Sequence, residues 1–278
     1  MKCCICGPVR NCEPYLDKVF QNIQQVGSLF DDYKIVIFYD KSTDNTLNKL
    51  KNYQKHPLYN DKLLLYVNQT IVSSYRTHRL AYARNFCLNY IRDNNEYDYF
   101  VMMDFDDVNC KNINLNVLRN ALTNPALETQ WDALSFDTAP LYYDIWALSI
   151  YPYCFSYNHF KYSSTNSYTT LQEYVTNKLR GLKKGQMLRC ISSFNGFAIY
   201  KTRVFIRPGI QYDGNVRFDL LPKEYLKAHM SVANSGLIFP DFGHVKAAYE
   251  DCEHRAFHIS AINNANARIM ISPEKLFT

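Results

Sequence analysis

Glycine is scarce in this chain, at 9 of 278 residues, and none of them falls into G-x-G-x-x-G or G-x-x-x-x-G-K-[ST]. Both motifs use glycine to bring backbone N–H groups against phosphates. The first absence argues against a dinucleotide oxidoreductase, and the second excludes an ordinary P-loop. Long apolar runs are missing too, since no window approaches the roughly 18 residues that a bilayer span requires. Basic blocks, RNP-like aromatic motifs and internal repeats are absent, and the formal charge of +5 is small for this length. Such a charge suits anionic small substrates without implying nucleic acid. Met1 and Lys2 lead straight into CCIC and a Gly-Pro pair, which reads as a short strand and stop rather than a signal peptide. The expected location is therefore cytoplasmic. Cysteine is present but its count of nine is odd. With Cys3, Cys4, Cys6 and Cys87 inside predicted buried elements, reduced thiols packing as small hydrophobes are expected. Zinc at Cys3, Cys4, Cys6 and Cys12 is disfavoured, because a strand sends Cys3 and Cys4 to opposite faces.

Hydrophobic residues make up 47% and charged residues 21% of the chain, the balance of a globular protein with a sizeable core. Strands are expected at 2–6, 34–39, 63–67 and 98–103, with helices after Cys12 and at 44–54 and 79–93. The first helix places Leu16, Val19, Phe20, Ile23 and Val26 on one face. Alternating strands and helices predict an α/β fold, a doubly wound and mostly parallel sheet. The most informative stretch is YDYFVMMDFDDVN, residues 97–109. Its apolar strand ends abruptly in Asp104, Asp106 and Asp107, at the carboxyl edge where open α/β sheets bind ligands. Two carboxylates spaced D-x-D can hold a hard divalent cation against a diphosphate. Taken alone the motif is weak, and an Asp-rich strand end is more often an ordinary turn or helix cap.

Upstream, KIVIFYDKSTDNT ends a buried strand in Asp40, and RLAYARN opens the helix before the acidic strand. The order YDKSTDNT, AYARN, MDFDD resembles the GT-A nucleotide-sugar glycosyltransferases, especially family-2-type enzymes, whose first half commonly reads "DDGSTDNT", "ARN", "DADD". The match departs at Lys41, where that family usually has Gly. The resemblance implies a GT-A-like fold in one domain. Residues 1–110 would form the nucleotide-sugar-binding half and residues 111–278 an irregular acceptor-binding half. It also implies transfer of a hexose from a UDP- or GDP-linked donor to a hydroxyl of a glycan or protein acceptor. Pro8, Arg10, Asp40, Arg79, Arg84, Asp104 and Phe105 would contact the donor. Asp104, Asp106 and a late His258 would hold Mn²⁺ or Mg²⁺. A sugar nucleotidyltransferase and a non-catalytic carbohydrate- or nucleotide-binding relative are the competing classes. The loop GPVRN is a poor substitute for the nucleotidyltransferase's Gly-rich loop.

The second half is less regular. A helix is expected at 113–122, a strand at 131–136, a polar and mobile segment at 162–188, and a strand in SSFNGFAIYKT. AAYEDCEHRAFH, residues 247–258, carries a second group of chemical side chains. Glu250 and Asp251 offer a general base, with Glu253 a further candidate. His254 and His258 share a face if this segment is helical, and His254 or Arg255 could contact diphosphate or metal. The bland reading is a capped, charged helix. In the family-2-type pattern an "ED" pair near this place supplies the base of an inverting transfer, which points to Asp251. WDALSFDTAPLYYDIWALS, VRNCEPYLDKVFQNI and CEHRAFH are also similar to segments of fungal capsule-associated α-1,3-mannosyltransferases. Those enzymes resemble retaining GDP-mannose users, so the two resemblances disagree on stereochemistry. The aromatic stretch from Pro140 to Phe160 suits either sugar stacking or core.

Overall fold

The computed structural model describes residues 1–154, 164–217, 219–232 and 250–278. Four strands come from the first 103 residues: β1 (Lys2–Val9), β2 (Asp32–Tyr39), β3 (Leu63–Val67) and β4 (Tyr99–Met103). Between them run α1 (Leu16–Gly27), α2 (Thr46–Lys55) and α3 (Arg76–Asp93). The second half adds α4 (Leu115–Thr123), α5 (Pro125–Glu128), β5 (Ala133–Asp137), α6 (Ser164–Arg180), β6 (Leu188–Cys190) and β7 (Phe197–Lys201). It ends with α7 (Thr202–Phe205), α8 (Lys223–Val232), α9 (Glu253–Ala265) and β8 (Ile269–Lys275). Both halves share one sheet in the order β3-β2-β1-β4-β7-β5-β8-β6. β1, β2, β3 and β4 pair in parallel, as do β5 and β8, whereas β7 and β6 run against their neighbours. This is the mostly parallel, helix-flanked GT-A arrangement expected from the sequence.

Strand alternation divides the core into two layers. Cys4, Cys6, Val36, Phe100 and Met102 pack on one face against Ala81, Leu88 and Ile91 of α3, Leu171 and Val175 of α6, and Phe257 of α9. Cys3, Ile5, Ile35, Val101 and Met103 pack on the other against Leu16, Phe20 and Ile23 of α1 and Leu118 of α4. Cys3 and Cys4 thus point to opposite layers, and all nine cysteines are free thiols.

Boundaries differ where pairing overrides local signals. β1 continues through Gly7 and Pro8 because both stay in register with β2, at Ile37 and Phe38. β4 pairs only as far as Cys6, so Pro8 lies on an open edge where its missing N–H costs no ladder bond. Gly7 is required by proximity: a Cβ there would lie 2.1 Å from the Met103 carbonyl oxygen. Most of the expected polar, mobile segment 162–188 is instead the helix α6. Its buried residues Leu171, Val175 and Leu179 recur every fourth position, too narrow a stripe to stand out among Ser, Thr and Asn. Residues 162 and 163 of that segment, and 155–160 of the aromatic stretch, lie outside the described residues. Helix α9 begins at Glu253, so Glu250 and Asp251 precede it.

Candidate active site

Parallel pairing brings the carboxyl ends of β1, β2 and β4 to one edge of the sheet, and the expected donor residues gather there. Pro8, Arg10, Asp40, Arg79, Asp104, Phe105 and Asp106 line one cavity of about 310 Å³. Arg10 Nη1 and Arg79 Nε each lie 3.5 Å from Asp40 Oδ2. Asp40 Oδ1 accepts from Asn68 Nδ2 at 3.3 Å, which fixes the carboxylate at the rim. The rest of the KSTDNT segment works from outside the cavity. Ser42 Oγ, Thr46 Oγ1 and Asp44 accept from the backbone N–H groups of Asn11, Cys12 and Glu13. Asn11 sits at φ 52° and its carboxamide oxygen accepts from Thr43 N. This network holds the loop that carries Arg10.

Helix α3 supplies the cavity's other wall. Arg76, Arg79, Leu80 and Ala83 line it, whereas Arg84, expected among the donor residues, lies on the same helical face but lines the neighbouring cavity beyond Asp104. Arg84 is the central member. It donates from Nη2 to Asp104 Oδ1 and from Nε to Glu253 Oε1, both at 2.9 Å, and its guanidinium sits 4.5 Å from the Phe194 ring centre. Burial works against its charge, but Asp104 and Glu253 outweigh that cost and its pKa is raised. Asp106 caps the short turn after β4 by accepting from Val108 N. Burial, with Asp104 next in importance, pushes the Asp106 carboxyl up to about 7.

Beyond Asp104 a second cavity of about 230 Å³ opens, sharing Arg76, Leu80 and Asp104 with the first. Glu253, His254 and Cys252 form one side, and Tyr143, Asp144, Trp146, Tyr168 and Phe194 the other. Asn195, at φ 58°, locks the Tyr143–Asp144 turn, because its side-chain oxygen accepts from both backbone N–H groups at 3.1 and 2.8 Å. Burial pushes the Asp144 carboxyl up to about 6. His254 is stacked 3.9 Å from Phe194, and neither of its ring nitrogens makes a hydrogen bond among the described residues. Burial first, then the Arg84 charge, hold it neutral, well below the usual histidine range.

The remaining residues of the tail are placed elsewhere. Asp251 is buried and accepts from Arg255 Nε with both oxygens, at 3.0 and 2.9 Å, and from Cys252 N. Arg255 also donates to the carbonyl oxygens of Leu148 and Trp146 and to Ser149 Oγ, which ties α9 to that turn. Glu250 accepts from Thr77 Oγ1 at 3.1 Å. His258 is fully buried against Ser192 Oγ and Tyr200 Oη, 3.0 and 3.2 Å away, and burial lowers its pKa to about 3. None of Glu250, Asp251, Arg255 and His258 lines either cavity. Glu253 and His254 open α9 at the cavity, Glu250 and Asp251 precede the helix, and His258, on the face of His254 but one turn deeper, is covered by Ser192 and Tyr200.

A divalent cation has two hard oxygen donors available here, Asp104 and Asp106, in a cavity where Asp40, Asp104 and Asp106 face Arg10, Arg76 and Arg79. Among the described residues no group of three or more His, Cys, Asp or Glu could hold an ion. The donor set therefore fits a cation that completes its shell with phosphate oxygens. It does not fit an all-protein cage. Asp144 and Arg76 were absent from the sequence-based site. Arg76 was missed because the helix was expected to begin at 79, whereas α3 begins at Arg76, three residues before Arg79. Asp144 lies within the YYDIW stretch that carries the second resemblance, but nothing local marked it as the acid facing a cavity.

Residues 4–130 match the family model described as Glycosyl transferase family 2. No curated protein matches the chain. Similar solved structures include S. aureus TarS 1-349, at 17% identity, TM-score 0.47, and coverage of 100% of this chain and 59% of that one. Its complex with UDP-GlcNAc gives 17% identity, TM-score 0.46, and coverage of 100% and 57%. The mannosyltransferase PcManGT from Pyrobaculum calidifontis in complex with GDP-Man and Mn²⁺ gives 17% identity, TM-score 0.44, and coverage of 76% and 47%. The chain thus spans less than two thirds of the length of each of these proteins.

Proposed function

We propose, from the match of residues 4–130 to the glycosyl transferase family 2 model, that this protein is a metal-dependent glycosyltransferase. It moves a hexose from a UDP- or GDP-linked donor to a hydroxyl of a glycan. The observation that carries this reading is the junction at Asp104. A cavity with arginines, Asp40 and a D-x-D pair opens there into a second one with carboxylates, a neutral histidine and aromatic faces.

In this reading Asp40 and Arg10 receive the nucleoside, and Arg79 and Arg76 sit beside the diphosphate. Asp104 and Asp106 are the residues that would hold Mn²⁺ or Mg²⁺, which when bound neutralises charge on the diphosphate. The transferred sugar and the acceptor hydroxyl meet in the second cavity. An inverting displacement then forms a bond from the acceptor oxygen to the anomeric carbon and breaks the bond to the β-phosphate oxygen. The departing oxygen keeps the electron pair, and a carboxylate takes the acceptor's proton. Asp144 is the preferred base: it lines the second cavity, and a carboxyl titrating near neutrality is matched to proton transfer there. Glu253, held by Arg84, orients the acceptor and ties its position to Asp104. Asp251 supports α9 through Arg255 instead of acting as the base. His254, being neutral, offers one N–H donor and one acceptor to sugar hydroxyls and no charge to a diphosphate. The free, mostly buried thiols support a cytoplasmic location, and no described helix is long and apolar enough to cross a membrane.

The test is a hydrolysis screen of UDP- and GDP-hexoses with and without Mn²⁺. The expected outcome is Mn²⁺-dependent release of one nucleoside diphosphate and, with acceptor, a product of inverted anomeric configuration. Absence of hydrolysis across the panel would overturn the transferase reading. Retained configuration would remove the base role of Asp144.

A further inference from the structure

A third cavity of about 260 Å³ adjoins the second and shares Tyr143 and Tyr168 with it. Asp107 and Lys111 line it from the turn after β4, Leu141 from the loop after β5, and Gln172 from α6. The two shared tyrosines form the partition, where Tyr168 Oη donates to the Tyr143 carbonyl oxygen at 3.2 Å. Tyr143 is 52% exposed and Leu141 36% exposed. The Tyr143 backbone is nonetheless pinned by Asn195. An apolar ring that stays exposed while its backbone is fixed is a prepaid contact surface, because little ordering entropy is lost when a ligand covers it.

We infer that this third cavity is a second acceptor subsite, which receives the pyranose ring next to the one that accepts the transferred hexose. The acceptor is then a glycan of at least two residues. This rests on the glycosyltransferase reading above. Three features of the lining select a sugar. An aromatic face at the junction suits the C–H face of a pyranose. Gln172 has its Nε2 spent on the Tyr142 carbonyl, which leaves its Oε1 to accept from a hydroxyl. Asp107 and Lys111 supply an acceptor and donors of opposite charge, and neither makes an ion pair among the described residues. A lipid chain would leave these polar groups without partners. A peptide would find no strand edge there to pair with, since the sheet ends at β3 and β6. The partition also explains why the subsite adjoins the second cavity and not the nucleotide cavity: a glycan must reach past Tyr143 to bring a hydroxyl to Asp144.

The experiment uses the full chain with UDP or GDP present. Saturation-transfer NMR compares methyl mannoside, glucoside and galactoside with mannobiose, cellobiose and lactose, alongside the donor-hydrolysis assay. At least one disaccharide is expected to bind about tenfold more tightly than its methyl monosaccharide, with saturation on both rings. Leu141→Trp, which fills the third cavity, should cancel that gain and confine saturation to one ring, with donor hydrolysis unchanged. Lys111→Ala, a surface change that spares the fold, should reduce the gain several-fold. Hydrolysis with no disaccharide preference overturns the subsite alone, as does a preference that survives Leu141→Trp, or transfer to peptides in place of sugars. A disaccharide effect without hydrolysis of any donor overturns the transferase reading and with it the acceptor role, leaving the third cavity a glycan-binding site only.

Discussion

Asp106 and Asp144 both occupy surroundings that penalise a charged carboxyl, at about 7 and about 6. A carboxyl whose pKa is raised by folding holds its proton more tightly when folded. Stability from that group is present below the unfolded value of about 3.9 and is lost as pH rises through the folded value. Asp106→Asn should therefore raise the melting temperature of the metal-free protein at pH 8 by a few degrees, and not at pH 4, while abolishing Mn²⁺-dependent hydrolysis. Differential scanning fluorimetry at the two pH values checks the first part, and an unchanged melting point at pH 8 would contradict it. Asp144→Asn should lower turnover by roughly 10²–10⁴-fold and remove an acid limb near pH 6 from the kcat profile. A surviving limb would assign it to another group. Asp251 behaves differently because its charge is already matched by Arg255 in the core. Asp251→Asn strands a buried guanidinium and should cost roughly 3–5 kcal/mol. Chemical denaturation measures that loss, and a fully stable variant with low turnover would restore the base assignment.

Helices α3 and α9 line the candidate site through their faces and first turns. The amino-terminal half of α3 turns Arg76, Arg79, Ala83 and Arg84 toward the cavities, and its later turns bury Cys87, Leu88 and Ile91. This division explains why the helix reads poorly as amphipathic: one stripe is core and another lines the cavities. The bond from Arg84 to Glu253 then joins α3 to α9. Strand β1 places the site by another route. Its close approach to β4 at Gly7 lets Pro8 and Arg10 stand beside Asp104 and Asp106. Gly7→Ala would push a methyl group into the Met103 carbonyl and should destabilise the protein by roughly 1–3 kcal/mol. Donor binding should weaken along with it, as titration calorimetry with UDP and GDP would show. Unchanged donor affinity would mean that the spacing of β1 and β4 does not set the cavity.

At the scale of the whole molecule, a single sheet gives the strands of the first and second halves a common frame. Its burial pattern makes a direct prediction about the cysteines. Eight of the nine are buried, and only Cys110 is partly exposed. Burial also raises the pKa of the thiols of Cys4, Cys6, Cys12, Cys154 and Cys252, among others, so the reactive thiolate is scarce as well as covered. An aromatic disulfide reagent at pH 8 should label one thiol quickly in the native protein and all nine in denaturant. Rapid labelling of several native thiols would contradict the packing described here.

The sequence by itself determined the parallel frame of the first half and which of its strand-end residues line the first cavity. A parallel strand is read from its apolar run, and its ligand-facing residue comes next in the chain. Asp40, Asp104 and Asp106 were legible for that reason. Arg10, Arg79 and Arg84 were legible as cations on the segments around those strand ends. Only the tertiary structure decided the rest. It brought Glu253 and His254 to the cavity and left Asp251 and His258 in the core, because the direction in which α9 leaves the cavity depends on contacts with β7 and the turn at Trp146. It also found Asp144, whose place at the cavity follows from Asn195, fifty-one residues later in the chain. Local sequence carries the period of an element and the chemistry at its end. Which face meets a cavity is settled by packing between distant segments, and that information is not local.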